Sequence, residues 1–94
     1  MRFDWDPRKD ATNQRKHGIG FQEASSLFTT GTEYLELPDD HSATEERFIA
    51  VGAVARGVIV VVFTERADDI IRIISARPAT PGEIDLYHEH METQ

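Results

Sequence analysis

The stretch Val58–Arg77, VIVVVFTERADDIIRIISAR, constrains the fold of this chain more than any other part of it. Its first residues, Val58–Phe63, are all apolar and all but one are β-branched, which favours a strand buried on both faces over an amphipathic helix. The polar segment Glu65–Asp69 is short enough to be a hairpin loop. Ile70–Ala76 then predicts a second strand, again rich in isoleucine. Together these segments predict a β-hairpin at the centre of the hydrophobic core.

Three arginines lie along this hairpin, and strand geometry predicts where each of them points. Because side chains alternate along a strand, Arg72 and Arg77 lie on opposite faces if no bulge intervenes. Arg66 lies at the turn, whereas Arg77 lies roughly 20 Å away at the other end of a strand of about seven residues. A single phosphate therefore contacts both Arg66 and Arg77 only if the loop folds back. A cluster of Arg77 with Arg47 or Arg56 is the alternative.

The flanking segments carry local signals for further helices and strands. Asp6 and Pro7 predict a helix start, since Asp caps the free N–H groups and Pro pre-sets the backbone, and Gly18 predicts its left-handed end. Thr80 to Glu83 fits a capping box for the last helix. The predicted elements are a strand over 3–5, helices over 7–17 and 21–28, strands over 32–37 and 47–55, and a helix after residue 80.

This order of elements predicts an α+β fold. Short connections between consecutive strands favour an antiparallel meander with helices packed against it. The predicted architecture is a small antiparallel sheet with two N-terminal helices and one C-terminal helix. A chain of 94 residues with 39% hydrophobic residues has enough apolar surface for one modest core, so we expect a single domain over residues 1–94.

The formal charge of −7 is distributed unevenly along the chain. Residues 1–20 hold five Lys/Arg and three Asp, and residues 47–77 hold five Arg and three acids, so each segment carries +2. Residues 21–46 hold seven acids and no base, and residues 78–94 hold four acids and no base. We therefore expect a local anion site where the two basic segments meet, with acidic surface elsewhere.

Composition also bears on location and on metal binding. The chain has no cysteine, no secretory signal and no apolar run long enough for a membrane span, so we expect a cytoplasmic protein without membrane contact. His88 and His90 do not share a helix face, and His41 lies in an acidic loop without regular ligand spacing. We predict neither a metal site nor a cofactor.

Three segments carry a resemblance to a known family. They are FDWDPRKDATNQRKHGIGFQEA over 3–24, DDHSATEERFIAVG over 39–52 and VVVFTERADDIIRIISARPAT over 60–80. In order and spacing they resemble the BrnT family of bacterial type II toxins. The resemblance implies a RelE-like ribonuclease fold and a cognate BrnA-like antitoxin, in an expected 2:2 heterotetramer. It also implies that the complex contacts DNA only indirectly, through the antitoxin.

The resemblance further implies roles for individual residues. Arg77, at the end of the ISAR segment, is the best-matched functional position, and Arg66 matches in the TER segment. Tyr87 corresponds to an aromatic residue that the family usually has in its last helix. Lys16 and His17 belong to the matched KHG motif.

The chemistry of metal-independent RNA cleavage points to the same residue types. It needs cations at the scissile phosphate and a group that activates the ribose 2′-hydroxyl. Guanidinium groups suit the first task because they stay charged and bind phosphate in a bidentate manner. His17 is the only histidine in a basic segment, which makes it the preferred general acid or base. The predicted catalytic residues are Arg77, Arg66, His17 and Tyr87, and the predicted RNA-binding residues are Lys16, Arg47, Arg56 and Arg72.

The same residues also have a structural interpretation. The hairpin arginines can pair with nearby acids such as Glu65, Asp68 and Asp69. Lys16 and His17 suit the end of a helix because the helix dipole favours cations there.

The last helix departs from the family pattern, in which basic residues commonly begin it and would hold an RNA backbone. Here Pro81, Gly82, Glu83 and Asp85 occupy that turn. Two functions follow. The first is a metal-independent endoribonuclease toxin that cleaves RNA and is neutralised by its antitoxin. The alternative is a catalytically weak or inactive binding module that acts through complex formation with that antitoxin.

Overall fold

The computed structural model describes residues 1–40 and 45–93, in which three helices and five strands form. A short 3-10 turn, Ala67–Asp69, joins the last two strands. In chain order the elements are β1 (Arg2–Asp4), α1 (Pro7–His17), α2 (Phe21–Thr29), β2 (Leu35–Pro38), β3 (Phe48–Val54), β4 (Gly57–Arg66), β5 (Ile70–Pro78) and α3 (Pro81–Glu92).

The five strands form one mixed sheet, which corrects the expectation of a purely antiparallel meander. β2 to β5 pair in sequence order and antiparallel, as predicted. β1 instead pairs in parallel with β5, with Arg2–Asp4 opposite Ile70–Arg72. Parallel neighbours need a long connection. Two helices and three strands separate these two strands along the chain, so no local pattern in the sequence indicates the pairing.

Helices cover both faces of the sheet. α1 and α2 cover the face that we call the helix-pair face, and α3 covers part of the other, the α3 face. Along β4, Ile59, Val61 and Phe63 are buried against the helix pair. Val60 is buried on the α3 face with Tyr87. The predicted burial of this strand on both faces is therefore confirmed.

A β-bulge interrupts β5 in its middle. Val62 lies opposite Ser75, whereas the next residue of β4, Phe63, lies opposite Ile73. Ile74 is thus one extra residue on the β5 side of the ladder. Such an insertion resets the alternation of side chains between the two faces.

The bulge changes the direction of one arginine. Ile73 and Ala76 both face the helix pair, although they are three positions apart. Arg72 and Arg77, which flank this segment, consequently share the α3 face. An unbulged strand predicts opposite faces for them, so that conditional prediction does not hold here.

Element boundaries follow local signals closely. α1 spans the predicted residues, with Asp6 Oδ1 accepting a hydrogen bond of 2.9 Å from the Arg8 N–H and Gly18 in the left-handed conformation at φ 71°. β2 begins later than predicted, because Tyr34 precedes the ladder and packs edge-on against Phe28 with ring centroids 5.2 Å apart. His41 lies outside the described residues. No helix among residues 1–40 and 45–93 is long and apolar enough to cross a membrane.

Candidate nucleic-acid interface

One buried asparagine attaches α1 to the sheet. β1 pairs with β5 only as far as Arg72, so the rest of that edge of β5 is open to other partners. Asn13 is only 7% exposed and donates through Nδ2 to the carbonyls of Ala76, at 2.7 Å, and Ile19, at 2.8 Å. Its Oδ1 accepts from the Ala76 N–H at 3.1 Å. A side-chain amide thus occupies the place that a neighbouring strand would otherwise take.

A carboxylate on the same helix sets the angle of α2. Asp10 Oδ1 accepts from the backbone N–H of Phe21 at 2.8 Å and from Gln14 Nε2 at 3.2 Å. Phe21 begins α2, whose N-cap residue, Gly20, has no side chain to satisfy that N–H. The cap therefore comes from the preceding helix, which couples the position of α1 to that of α2.

Docked in this way, α1 forms a groove with the bulged part of β5. We call it the helix groove; its volume is about 310 Å³. Its cationic and titratable lining residues are Arg8, Lys9, Lys16 and His17, and the others are Thr12, Asn13, Ile74 and Ser75. The α1 members form pairs repeated every four positions, which places them on one face of the helix. That spacing is the sequence signal that points to Arg8 and Lys9, which the motif alone does not single out.

The positive charge of the helix groove is not neutralised within the described residues. Arg8, Lys9 and Lys16 form no ion pair there. His17 is half-buried, whereas the three cations are exposed. The groove therefore combines free cations, which attract phosphate, with an imidazole, the side chain best suited to proton exchange near neutral pH.

Three other predicted residues lie close together on the α3 face, beyond the end of the sheet that α3 covers. Arg72 on β5 lies opposite Thr64 on β4. On the other side of β4, Phe48 pairs with Phe63, so Arg47 lies next to Thr64. Arg66 follows two positions after Thr64 and donates from Nε to its hydroxyl at 3.2 Å. We call Arg47, Arg66 and Arg72 the arginine row.

Two members of the arginine row already have carboxylate partners. Arg66 Nη2 lies 3.2 Å from Glu45, and Arg72 Nη1 lies 2.6 Å from Asp4. Neither partner is one of the hairpin acids expected from the sequence. The Nε of Arg47 is buried and has no hydrogen-bond partner among the described residues. Solvent-exposed pairs of this kind contribute at most about 1 kcal/mol, so an anion of higher charge can displace the carboxylates.

Arg77 lies apart from the row and ties β5 to α3. Its Nη1 and Nη2 donate to the two carboxylate oxygens of Glu83 at 2.7 and 2.8 Å. Glu83 also accepts from the Thr80 N–H at 2.8 Å, completing the predicted capping box. The hydrogen bonds from Arg77 lower the pKa of Glu83 from 4.5 to about 2, and they raise the pKa of Arg77 above its ordinary value.

This pair predicts a defined acid dependence of stability. Because the folded-state pKa of Glu83 is depressed, its contribution is complete above pH 4.5 and is lost as the pH falls toward about 2. We expect Glu83→Gln to lower the free energy of unfolding by about 1 kcal/mol at pH 7, because solvent screens this partly exposed pair. Near pH 2 the variant and the parent should have the same free energy of unfolding. Urea unfolding at pH 7, 4.5, 3 and 2 measures the difference.

The control for this measurement is Glu89→Gln, which changes an exposed carboxylate on the same helix that forms no ion pair with a described residue. If the free energies of unfolding of Glu83→Gln and the parent differed by the same amount at every pH, the acid dependence could not be assigned to Glu83.

The remaining predicted residues lie elsewhere. Arg56, at the β3–β4 turn, holds Glu23 of α2 through two hydrogen bonds of 2.5 and 2.7 Å. Tyr87 is 7% exposed and packs on Val51 and Val60 in the core under α3. The four predicted catalytic residues are therefore not all brought together. Arg77 and Tyr87 are neighbours on the α3 face, since Arg77 lies opposite Val60, on which Tyr87 packs, and its partner Glu83 lies one turn before Tyr87. Arg66 and His17 lie apart from them and from each other. Sequence motifs did not single out Asn13, Arg8, Lys9 or Ser75.

Comparison with known proteins places this geometry in a family. The family profile described as the ribonuclease toxin BrnT of type II toxin–antitoxin systems matches residues 5–83. The crystal structure of the Brucella abortus ribonuclease toxin BrnT is similar, with 27% sequence identity, a TM-score of 0.68, and coverage of 85% of this chain and 97% of that one. A comparison with curated proteins gave no match.

The match extends over most of the chain and includes α1, the hairpin and the start of α3. The structural similarity confirms the predicted α+β class with three helices, and the mixed sheet is part of it. The chain thus belongs to the BrnT family of ribonuclease toxins of type II toxin–antitoxin systems.

Proposed function

We propose that this protein is a ribonuclease toxin that binds and cleaves RNA at the helix groove. The observation that carries the proposal is the set of cations on α1. Arg8, Lys9 and Lys16 have no carboxylate partner among the described residues, whereas Arg56, Arg66, Arg72 and Arg77 all do. Free cations beside a half-buried histidine, His17, suit a scissile phosphate better than arginines already neutralised.

The proposed reaction is metal-independent transesterification. His17 takes the proton of the ribose 2′-hydroxyl, whose oxygen attacks the adjacent phosphorus, and the 5′-oxygen of the next nucleotide leaves as it takes a proton from water. Lys16 and Arg8 stabilise the charge that develops on the phosphate oxygens. The products are a 2′,3′-cyclic phosphate and a 5′-hydroxyl. The phosphate charge is stabilised by Lys16 and Arg8 themselves, so the proposed route needs no metal ion for that task.

The arginine row provides a second surface for the RNA backbone. An RNA phosphate that replaces Asp4 at Arg72 or Glu45 at Arg66 gains charge-assisted hydrogen bonds. Arg47 forms no ion pair with any described residue, although its Nε is buried, so only its terminal Nη groups are candidates for the same contact. We assign these three residues to RNA binding and keep His17 as the proton-transfer group.

Arg77 and Tyr87 have a different role in this proposal. The bidentate contact of Arg77 with Glu83 supports a role in holding α3 on the sheet. Tyr87 is buried in the core beneath α3, away from either cationic surface. A catalytic role for Arg77, predicted from the resemblance, is tested by the experiment below.

The partner that we propose is a BrnA-like antitoxin, in a complex with two copies of each protein. Contact with DNA then occurs through the antitoxin. The family to which the chain belongs supports the antitoxin. The net charge of −7 supports an indirect contact, since a protein of this charge is a poor ligand for duplex DNA.

One observation favours a second function, that of an inactive binding module. All four arginines of the hairpin and its preceding turn, Arg56, Arg66, Arg72 and Arg77, are paired with carboxylates. A protein that used only these residues for RNA would have little free charge for the purpose. Such a protein would act through its antitoxin alone.

The test is cleavage of an end-labelled RNA by the purified protein in excess EDTA, beside Lys16→Gln and Arg77→Ala. We expect the parent to release 2′,3′-cyclic phosphate ends and Lys16→Gln to be at least tenfold slower, since Lys16 contacts the phosphate. If Arg77→Ala remains folded yet loses cleavage while Lys16→Gln retains it, the site lies at Arg77. No cleavage by the parent, together with normal growth on its expression, would support the binding module.

A further inference from the structure

A second groove lies at the opposite side of the sheet from the helix groove. It runs on the α3 face between α3 and β2 and has a volume of about 360 Å³. Its apolar lining is exposed: Leu86 is 50% accessible and Leu37 is 38% accessible. We call it the leucine groove; it is lined by Leu35, Leu37, Leu86, Glu89, His90 and Thr93.

The width of the sheet leaves space for another helix at this position. Five strands spaced by about 4.8 Å span roughly 20 Å, whereas one helix with its side chains covers roughly 10 Å. α3 packs through Tyr87 over Val51 of β3 and Val60 of β4. β2 is the edge strand on the far side of β3, so its leucines lie beside α3 and not beneath it. A second helix fits there, parallel to the sheet and against α3.

The charge around the leucine groove identifies the kind of helix. Both walls come from segments that contain no lysine or arginine: β2 lies within residues 21–46, and α3 lies within residues 78–94. Glu89 lines the groove, and Asp85 and Glu92 lie one turn before and after it on α3; all three are exposed and form no ion pair with any described residue. An apolar groove with an acidic rim is complementary to a helix with an apolar stripe and basic flanks.

We propose that the leucine groove is the docking site for a basic amphipathic helix of the antitoxin. Aliphatic side chains spaced by three and four residues enter the groove between Leu37 and Leu86, and lysine or arginine side chains on either flank meet the acidic rim. The identity of the partner rests on the proposed function, but the geometry and charge of the groove do not. Because the groove adjoins β2 and the helix groove adjoins β5, this contact anchors the antitoxin, and a different segment of the antitoxin is needed to cover the cations of α1.

The direct test uses a defined probe and does not depend on ribonuclease activity. The probe is an amphipathic Leu/Lys peptide of about 18 residues, titrated into the full-length ¹⁵N-labelled chain; a peptide of the same composition with its leucines distributed around the helix is the comparison. We expect the amphipathic peptide to shift the amides of Leu37, Leu86 and Glu89 and to bind at least tenfold more tightly than the comparison peptide. The double variant Leu37→Gln/Leu86→Gln should bind at least tenfold more weakly.

The matched control is Ala55→Gln, which places the same side chain on the exposed β3–β4 turn and should bind like the parent. Equal binding of both peptides would mean that charge alone attracts them, and would overturn the proposal. The proposal would also be overturned if the peptide shifted only amides of α1, or if the double variant bound the amphipathic peptide as tightly as the parent does. If the amide chemical shifts of the groove residues changed with protein concentration in the absence of peptide, a second copy of the chain would occupy the groove, and the proposal would be overturned.

A growth assay then connects the groove to the antitoxin. The parent, Ala55→Gln and the double variant are each expressed alone and together with the antitoxin from the same operon. We expect the antitoxin to restore growth for the first two and to fail for the double variant, which stays toxic. Full rescue of the double variant would overturn the proposal. Growth of every strain without antitoxin would instead refute the proposed toxin function, while the peptide titration would still decide the groove.

Discussion

Replacing His17 with glutamine is expected to lower the rate of RNA cleavage about 100-fold, while the affinity for RNA stays nearly unchanged. His17 supplies the imidazole of the helix groove, and glutamine keeps a polar side chain there but cannot transfer a proton. Lys16 and Arg8 remain to hold the phosphate, so binding and chemistry separate in this variant. Initial cleavage rates of a labelled RNA in EDTA, together with binding to an RNA that carries 2′-O-methyl groups, measure the two quantities.

The matched control for His17 is His88→Gln, which changes an exposed histidine on α3, outside the helix groove. It should cleave at the rate of the parent. A parent-like rate in His17→Gln would remove this residue from the mechanism. A loss of RNA affinity as large as the loss of rate would make His17 a binding residue and not a proton carrier.

Replacing Asn13 with alanine is expected to destabilise the protein by about 3 kcal/mol, because three hydrogen bonds of one buried side chain are lost together. The N–H and C=O of Ala76 and the carbonyl of Ile19 would keep their buried positions without this partner. Such a loss is a large part of the 5 to 15 kcal/mol that typically stabilises a domain. Urea unfolding followed by circular dichroism measures the change.

Two further variants make the Asn13 result specific. Thr12→Ala changes an exposed neighbour on α1 and should cost less than about 1 kcal/mol. Asn13→Asp keeps an acceptor for the Ala76 N–H but replaces the donor with a carboxylate facing two carbonyls, and we expect it to be at least as damaging as alanine. Stability of Asn13→Ala within 1 kcal/mol of the parent would show that α1 is held by other contacts.

Elements with strong local signals were predicted closely. α1 begins and ends at the predicted residues because Asp6, Pro7 and Gly18 act on the backbone within one turn of the helix. The two buried strands of the hairpin followed from their β-branched residues, and the Thr80–Glu83 capping box was confirmed in the structure. Each of these signals acts over about four residues, which is why a single sequence contains them.

The candidate sites were predicted less well because their members are distant in sequence. Arg66, Arg72 and Arg77 were expected to meet hairpin acids if they were paired at all. Arg72 instead pairs with Asp4 and Arg66 with Glu45. The bulge at Ile74, which turns Arg72 and Arg77 to the same face, depends on packing against the helix pair and has no local signal.

The amino-acid sequence alone determined the helices, the central hairpin, the family and the presence of two basic segments, because capping, β-branching, motif spacing and charge are properties of neighbouring residues. Only the tertiary structure decided which cations are free. Arg72 meets Asp4 across 68 positions, and Asn13 meets Ala76 across 63. Contacts at such separations form only when the sheet assembles, since their partners are chosen by packing and not by sequence proximity. After these pairings, Arg8, Lys9 and Lys16 on α1 remain without a carboxylate partner among the described residues.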